Sequence, residues 1–170
     1  MYNKEIKIVL SIMILFASIY LFNIGEIGYG IVVLILMGLV VFSIFKDERI
    51  IKAFYHLRKN DMGKAQAILN KIKHPEKLIK SQEAYFYYLN GLVLSQTQMN
   101  QAEKFFKKSL SLGLRTDMDK AVAKLNLAGL ALTRRRKREA TTLLTEVKKL
   151  DKHNMLDDQI KMMKQQLKKI

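Results

Sequence analysis

Two regimes of hydrophobic patterning divide the chain. From Ile8 to Phe22 no charged residue occurs, and apolar character continues to Ile24. After the short stretch NIGEIG, a second charge-free run, IGYGIVVLILMGLVVFSIF, covers the nineteen residues from Ile27 to Phe45. Neither run carries a polar face, so neither reads as a helix half-covered by a soluble core. A bilayer core about 30 Å thick is crossed by about 20 helical residues, within a range of about 17–25. The pattern therefore predicts two transmembrane helices, over about 7–24 and 27–45, forming a hairpin within residues 1–46 with Gly25 and Gly28 at its turn. Gly30 and Gly38, close to one face of the second helix, suit packing against another membrane protein. A secretory signal peptide would end in a small-x-small cleavage site. None closes the first run.

From Asp47 onward the apolar positions recur at helical spacing, broken by short polar turns. Seven helices are expected, over about 47–59, 62–73, 76–97, 99–112, 117–133, 136–150 and 155–168. His74 and Pro75 have the types that open a helix, and Gly113 the type that closes one. Thr116 with Asp119 has capping-box spacing, and Asn154 with Asp157 forms a weaker cap of the same kind.

Self-comparison reveals a repeat. FYHLRKNDMGKAQAILNKI from Phe54, GLVLSQTQMNQAEKFFKKS from Gly91 and GLALTRRRKREATTLLTEV from Gly129 align without gaps. Each has alanine at the same place: Ala65, Ala102 and Ala140, 37 and 38 residues apart. Leu69, Phe106 and Leu144 follow four residues later, then Ile72, Ser109 and Val147. Small residues let paired helices approach, with Gly91 and Gly129 doing so on the first helix of a pair. The bulky residues on the same face fill the space between pairs.

This small–small–bulky pattern resembles tetratricopeptide repeats over about residues 47–150, with 151–170 similar to a capping helix. The chain has no tryptophan, Tyr87 stands where the family's aromatic falls in the second unit, and Phe54 replaces the glycine in the first. The resemblance implies an all-α architecture: a transmembrane hairpin followed by an α-solenoid of about three helix pairs. It also implies a concave surface, lined by the first helix of each pair, that holds a partner's peptide. Positions facing away from the paired helix are Ile51, Tyr55 and Arg58, then Tyr85, Tyr88 and Leu92, then Ala123, Asn126, Leu130 and Arg134. That would be an aromatic floor with basic ends. In the YFYY run, Phe86 and Tyr87 are the ones expected to lean toward the core.

Charge is as unevenly spread as hydrophobicity. Residues 1–46 carry a net +1, leaving +14 of the total +15 on the remainder. Lys4 and Lys7 precede the hairpin and Lys46, Arg49 and Lys52 follow it, whereas its turn holds only Glu26. Basic residues flank membrane segments on the cytoplasmic side. Both termini are thus expected in the cytoplasm, beneath a bacterial inner membrane. The densest basic run is Arg134, Arg135, Arg136, Lys137 and Arg138. It falls in the turn of the third repeat, so it is either a solvated corner or a contact for anionic lipid or RNA.

The chain has no cysteine, and His56, His74 and His153 have no metal-ligand spacing. It contains no glycine-rich phosphate loop and no nucleophile elbow. No cofactor, metal or enzymatic activity is expected. The sequence favours a membrane-anchored adaptor that presents a protein-binding surface to a membrane-associated assembly. The alternative is a tethered basic module for RNA or anionic lipid near an insertion or export machine.

Overall fold

The computed structural model describes residues 2–44 and 47–169. Phe45, which closes the expected second span, and Lys46 just after it lie outside the described residues, as does the side chain of Lys4. Every regular element described is helical, so the protein is all-α. The chain divides into two compact units, Met1–Asp47 and Glu48–Ile170.

The first unit pairs α1 (Tyr2–Asn23) with α2 (Ile27–Ile44). Gly25 reverses the chain at φ 87, and the Glu26 amide donates to the Leu21 carbonyl at 3.1 Å. Such a left-handed residue after a helix favours glycine. Gly28, expected to share the turn, lies inside α2 instead. Burial in this hairpin is inverted relative to a water-soluble protein. Ser11, Ser18 and Gly30 are buried, while Val9, Met13, Phe16, Ile19, Val32, Ile35 and Leu39 are exposed. Ser18 Oγ donates to the Gly30 carbonyl at 3.2 Å, and a Cβ on Gly30 would stand 2.9 Å from the Phe22 ring. The outward interface expected of Gly30 and Gly38 is not formed as a pair. Gly30 is consumed inside the hairpin, and only Gly38 faces open space. The stretch Ile6–Asn23, with mean hydropathy 2.1, is long and apolar enough to cross a membrane. The apolar stretch described in α2, Ile27–Val41, falls short of that length.

The second unit contains α3 (Glu48–Arg58), α4 (Met62–Leu69), α5 (Lys80–Leu94), α6 (Met99–Leu112), α7 (Asp117–Thr133), α8 (Lys137–Leu150) and α9 (Asp157–Lys168). Two helices are shorter than the periodicity implies. α4 ends at Leu69, although Ile72 beyond it is still buried. Pro75–Lys77 forms a separate 3₁₀ turn, and extended backbone at Leu78 and Ile79 delays α5 to Lys80. His74 makes no cap; its ring faces the Glu76 carboxylate at 3.0 Å. Asn154 does not cap α9 either. Buried Asp151 accepts from the Met155 and Leu156 amides at 3.0 and 2.7 Å, and Asn154 adopts a left-handed turn conformation at φ 54. Thr116 accepts from the Asp119 amide at 3.0 Å, and Gly113 ends α6 at φ 92.

Helices pair in chain order, α3 with α4, α5 with α6 and α7 with α8. The first helices also touch in succession, α3 to α5 to α7, and α9 packs on both α7 and α8. The repeat positions explain the pairing. Ala65, Ala102 and Ala140 have no exposed surface, and Leu69, Phe106 and Leu144 are all but fully buried beside them. The two glycines serve different neighbours. A Cβ on Gly91 would lie 2.8 Å from the ring of Phe106, on the paired helix α6. On Gly129 it would meet Met163 of α9 at 3.4 Å. Gly129 thus makes room for the terminal helix rather than for its own partner, which corrects its expected role.

Candidate functional site

Three of the ten expected groove positions are closed. Tyr88 and Leu130 retain 4% and 6% of their surface, and Ala123 none. The cause is non-local: α5 is covered by α3, α6 and α7 together, and α7 by α5, α6, α8 and α9. A face turned away from the paired helix is therefore turned toward the next first helix. The YFYY run reverses expectation accordingly. Tyr88 is the core residue, edge-on to Phe106 and Tyr85, while Tyr85, Phe86 and Tyr87 are half-buried.

Tyr85 is half-buried but engaged. Its hydroxyl donates to Asp119 Oδ2 at 2.5 Å, where the Thr116 hydroxyl also donates at 2.6 Å. Burial, reinforced by that carboxylate, pushes the phenol up to about 12. Asp119, read in the sequence only as part of a cap, is thus also the bolt between α5 and α7. Asn126 is half-buried and turns its amide onto the Val122 carbonyl at 2.8 Å. Arg134 leaves the groove for Glu103 and Asn100 of α6.

What stays open lies at the start of the unit. Ile51 and Tyr55 keep 62% and 53% of their surface, one turn apart on α3, and Phe54 is exposed beside them. Next to this strip is a cleft of about 270 Å³ lined by Phe54, Leu57, Arg58, Met62, Leu89, Leu92, Ser95 and Gln96. Four expected groove residues thus fall together, Ile51 and Tyr55 on the strip with Arg58 and Leu92 in the cleft. Phe54 and Met62 were not foreseen. Phe54 stands where the other repeats have glycine, a departure that marked the position without revealing its use.

The basic run separates into two sets. Arg134 and Arg136 face Glu103, Arg136 at 3.5 Å, and Arg136 also faces Glu139 at 3.3 Å. A hydrogen bond from Lys107, with these two guanidiniums nearby, holds the Glu103 carboxyl below its ordinary range. Arg135, Lys137 and Arg138 are exposed and face no carboxylate among the described residues. Arg135 also has φ 55, and the Arg136 amide bonds back to the Ala131 carbonyl at 2.8 Å. The first repeat turns the same corner with Asn60 at φ 60 and an Asp61 to His56 bond at 2.9 Å. Asparagine tolerates this left-handed position; arginine does so at a cost of about 1–2 kcal/mol.

Among the described residues no group of three or more His, Asp and Glu could hold a metal ion. No protein-family model, no curated protein and no solved structure matches the chain.

Proposed function

We propose that the protein is a membrane-anchored adaptor, its second unit a short tetratricopeptide-like solenoid of three helix pairs closed by α9. The order of helix contacts and the shared burial of the repeat alanines support the solenoid reading. For the anchor, the support is the inverted hairpin, in which Ser11, Ser18 and Gly30 are inside and large apolar side chains outside. Water penalises that arrangement, whereas lipid removes the drive to bury such side chains and leaves small residues at the helix contact. In this reading both α1 and α2 cross a bacterial inner membrane and the solenoid is cytoplasmic.

The binding surface is the apolar strip and cleft on α3, α4 and α5, and its exposure is the observation that carries the proposal. Ile51, Phe54, Tyr55 and Met62 form a local group of exposed large apolar side chains in a unit that otherwise buries most of its own. Arg58 and Lys59 flank them, Lys59 lying over the Tyr55 ring at 4.4 Å. An amphipathic helix with acidic flanks, belonging to a membrane-associated protein, fits this chemistry.

Recovery of partners with the full-length protein from mild detergent, at low and raised salt, tests it. Ile51→Ser with Tyr55→Ser should abolish a partner set that survives raised salt. Neutralising Arg135, Lys137 and Arg138 should leave that set intact. Unchanged recovery with the double serine variant would sink the adaptor reading.

A further inference from the structure

The outer faces of α6 and α8 share a property that pairing alone does not require. Their carboxylates, Glu103, Glu139 and Glu146, are all half-buried and all ion-paired, Glu146 with Lys124 at 2.5 Å. Beyond Met99 at the start of α6, the exposed positions of these two helices carry cations and neutral polar side chains only. The cations are Lys104, Lys107 and Lys108 on α6, with Lys137 and Arg138 opening α8 and Lys148 and Lys149 near its end. Lys107 reaches Glu139 at 4.0 Å, so the two faces meet at one seam, with exposed Arg135 at its corner.

We propose that this face binds a bilayer surface rich in anionic phospholipid. Arg135 is the sharpest part of the case. Its left-handed backbone would be relieved by glycine or asparagine, yet the position holds an unpaired arginine. Such strain is retained where the side chain does something the backbone does not need. Lipid is favoured over nucleic acid by two observations. The chain carries a segment, Ile6–Asn23, able to cross a membrane. No large aromatic side chain is exposed on α6 or α8 to stack against bases. Headgroup phosphates need only accessible cations at a surface, and each lysine or arginine near it adds roughly fivefold to binding.

The test uses full-length protein in phosphatidylcholine nanodiscs, mixed with vesicles of phosphatidylcholine alone or enriched in phosphatidylglycerol. Capture of the anionic vesicles alone, lost at raised salt, is the expected result. Arg135→Gln, Lys137→Gln and Arg138→Gln together should weaken capture on the order of a hundredfold. Arg135→Gly guards against a folding artefact, since it should raise the melting temperature while weakening capture about fivefold. Ile51→Ser with Tyr55→Ser should leave capture unchanged, which keeps the outcome independent of the adaptor reading. Equal capture of both vesicle types, or indifference to the triple variant, overturns the proposal. So does displacement of the vesicles by poly(U) at matched salt, which would make the face a nucleic-acid site.

Discussion

In the first helix pair of the second unit, α3 turns Ile51, Phe54 and Tyr55 outward. In the last pair, α9 lies against α7 and α8 and buries Ile160 and Leu167. The pairs at both ends derive from the same aligned repeat, and their alanines and leucines are buried alike. They differ in their neighbours. The terminal face of a helix pair is apolar by construction, because inside a series it would meet another pair. One end of this unit has a dedicated cover, and the other keeps aromatic surface available. An open end carries no packing energy of its own, so it can be committed to a partner without weakening the unit.

The most direct way to break this comparison is to make one substitution at both ends. Ile160→Ala should cost about 2–5 kcal/mol, as expected for a buried isoleucine. Ile51→Ala should stay within about 0.5 kcal/mol, since its side chain is largely exposed. Denaturant midpoints of the two variants check this, and equal losses would mean that the first helix is covered after all.

The paired glycines give a smaller contrast of opposite sign. Gly91→Ala drives a methyl into the fully buried Phe106 ring and should destabilise by about 1–3 kcal/mol. Gly129→Ala meets only the flexible tip of Met163, so the helix preference for alanine over glycine should stabilise by about 0.5–1 kcal/mol. Melting temperatures moving in opposite directions would show that the two repeats use their glycine differently.

The smallest expected effect is electrostatic. Glu103 titrates below its ordinary value of 4.5 when folded, so its contribution is complete above that pH and disappears as pH falls through the folded value. The stability difference between the wild type and Glu103→Gln should therefore shrink on acidification below about 4.5, as followed by denaturation across pH. A difference that is constant with pH would mean that the ion pairs of Glu103 add nothing to holding α6 against the turn before α8.

Helix positions were largely legible in the sequence, because amphipathic spacing and turn residues are local signals. Ala65, Ala102 and Ala140 stood out for the same reason: each must be small wherever the pairs go. The open face was harder to read. Whether Tyr88 or Tyr85 looks outward depends on which helices flank α5, and those lie a whole repeat away in sequence. Tyr55 and Arg58 are exposed as expected because α3 has a flanking pair on one side only, where the simple helical wheel still applies. The tie from Asp119 to Tyr85 and the cap made by Asp151 were missed. The partners of these acids, Tyr85 and the amides of Met155 and Leu156, are identified only once the chain has folded.

The uneven ends also limit how copies of this chain can associate. A unit that is open at one end and capped at the other offers only one free terminal face for stacking helix pairs end to end. Self-association in which each copy offers the same Ile51 and Tyr55 patch would be isologous and would close at two. The series of helix pairs resembles a segment of an extendable array, yet α9 occupies the face on which a further pair would stack.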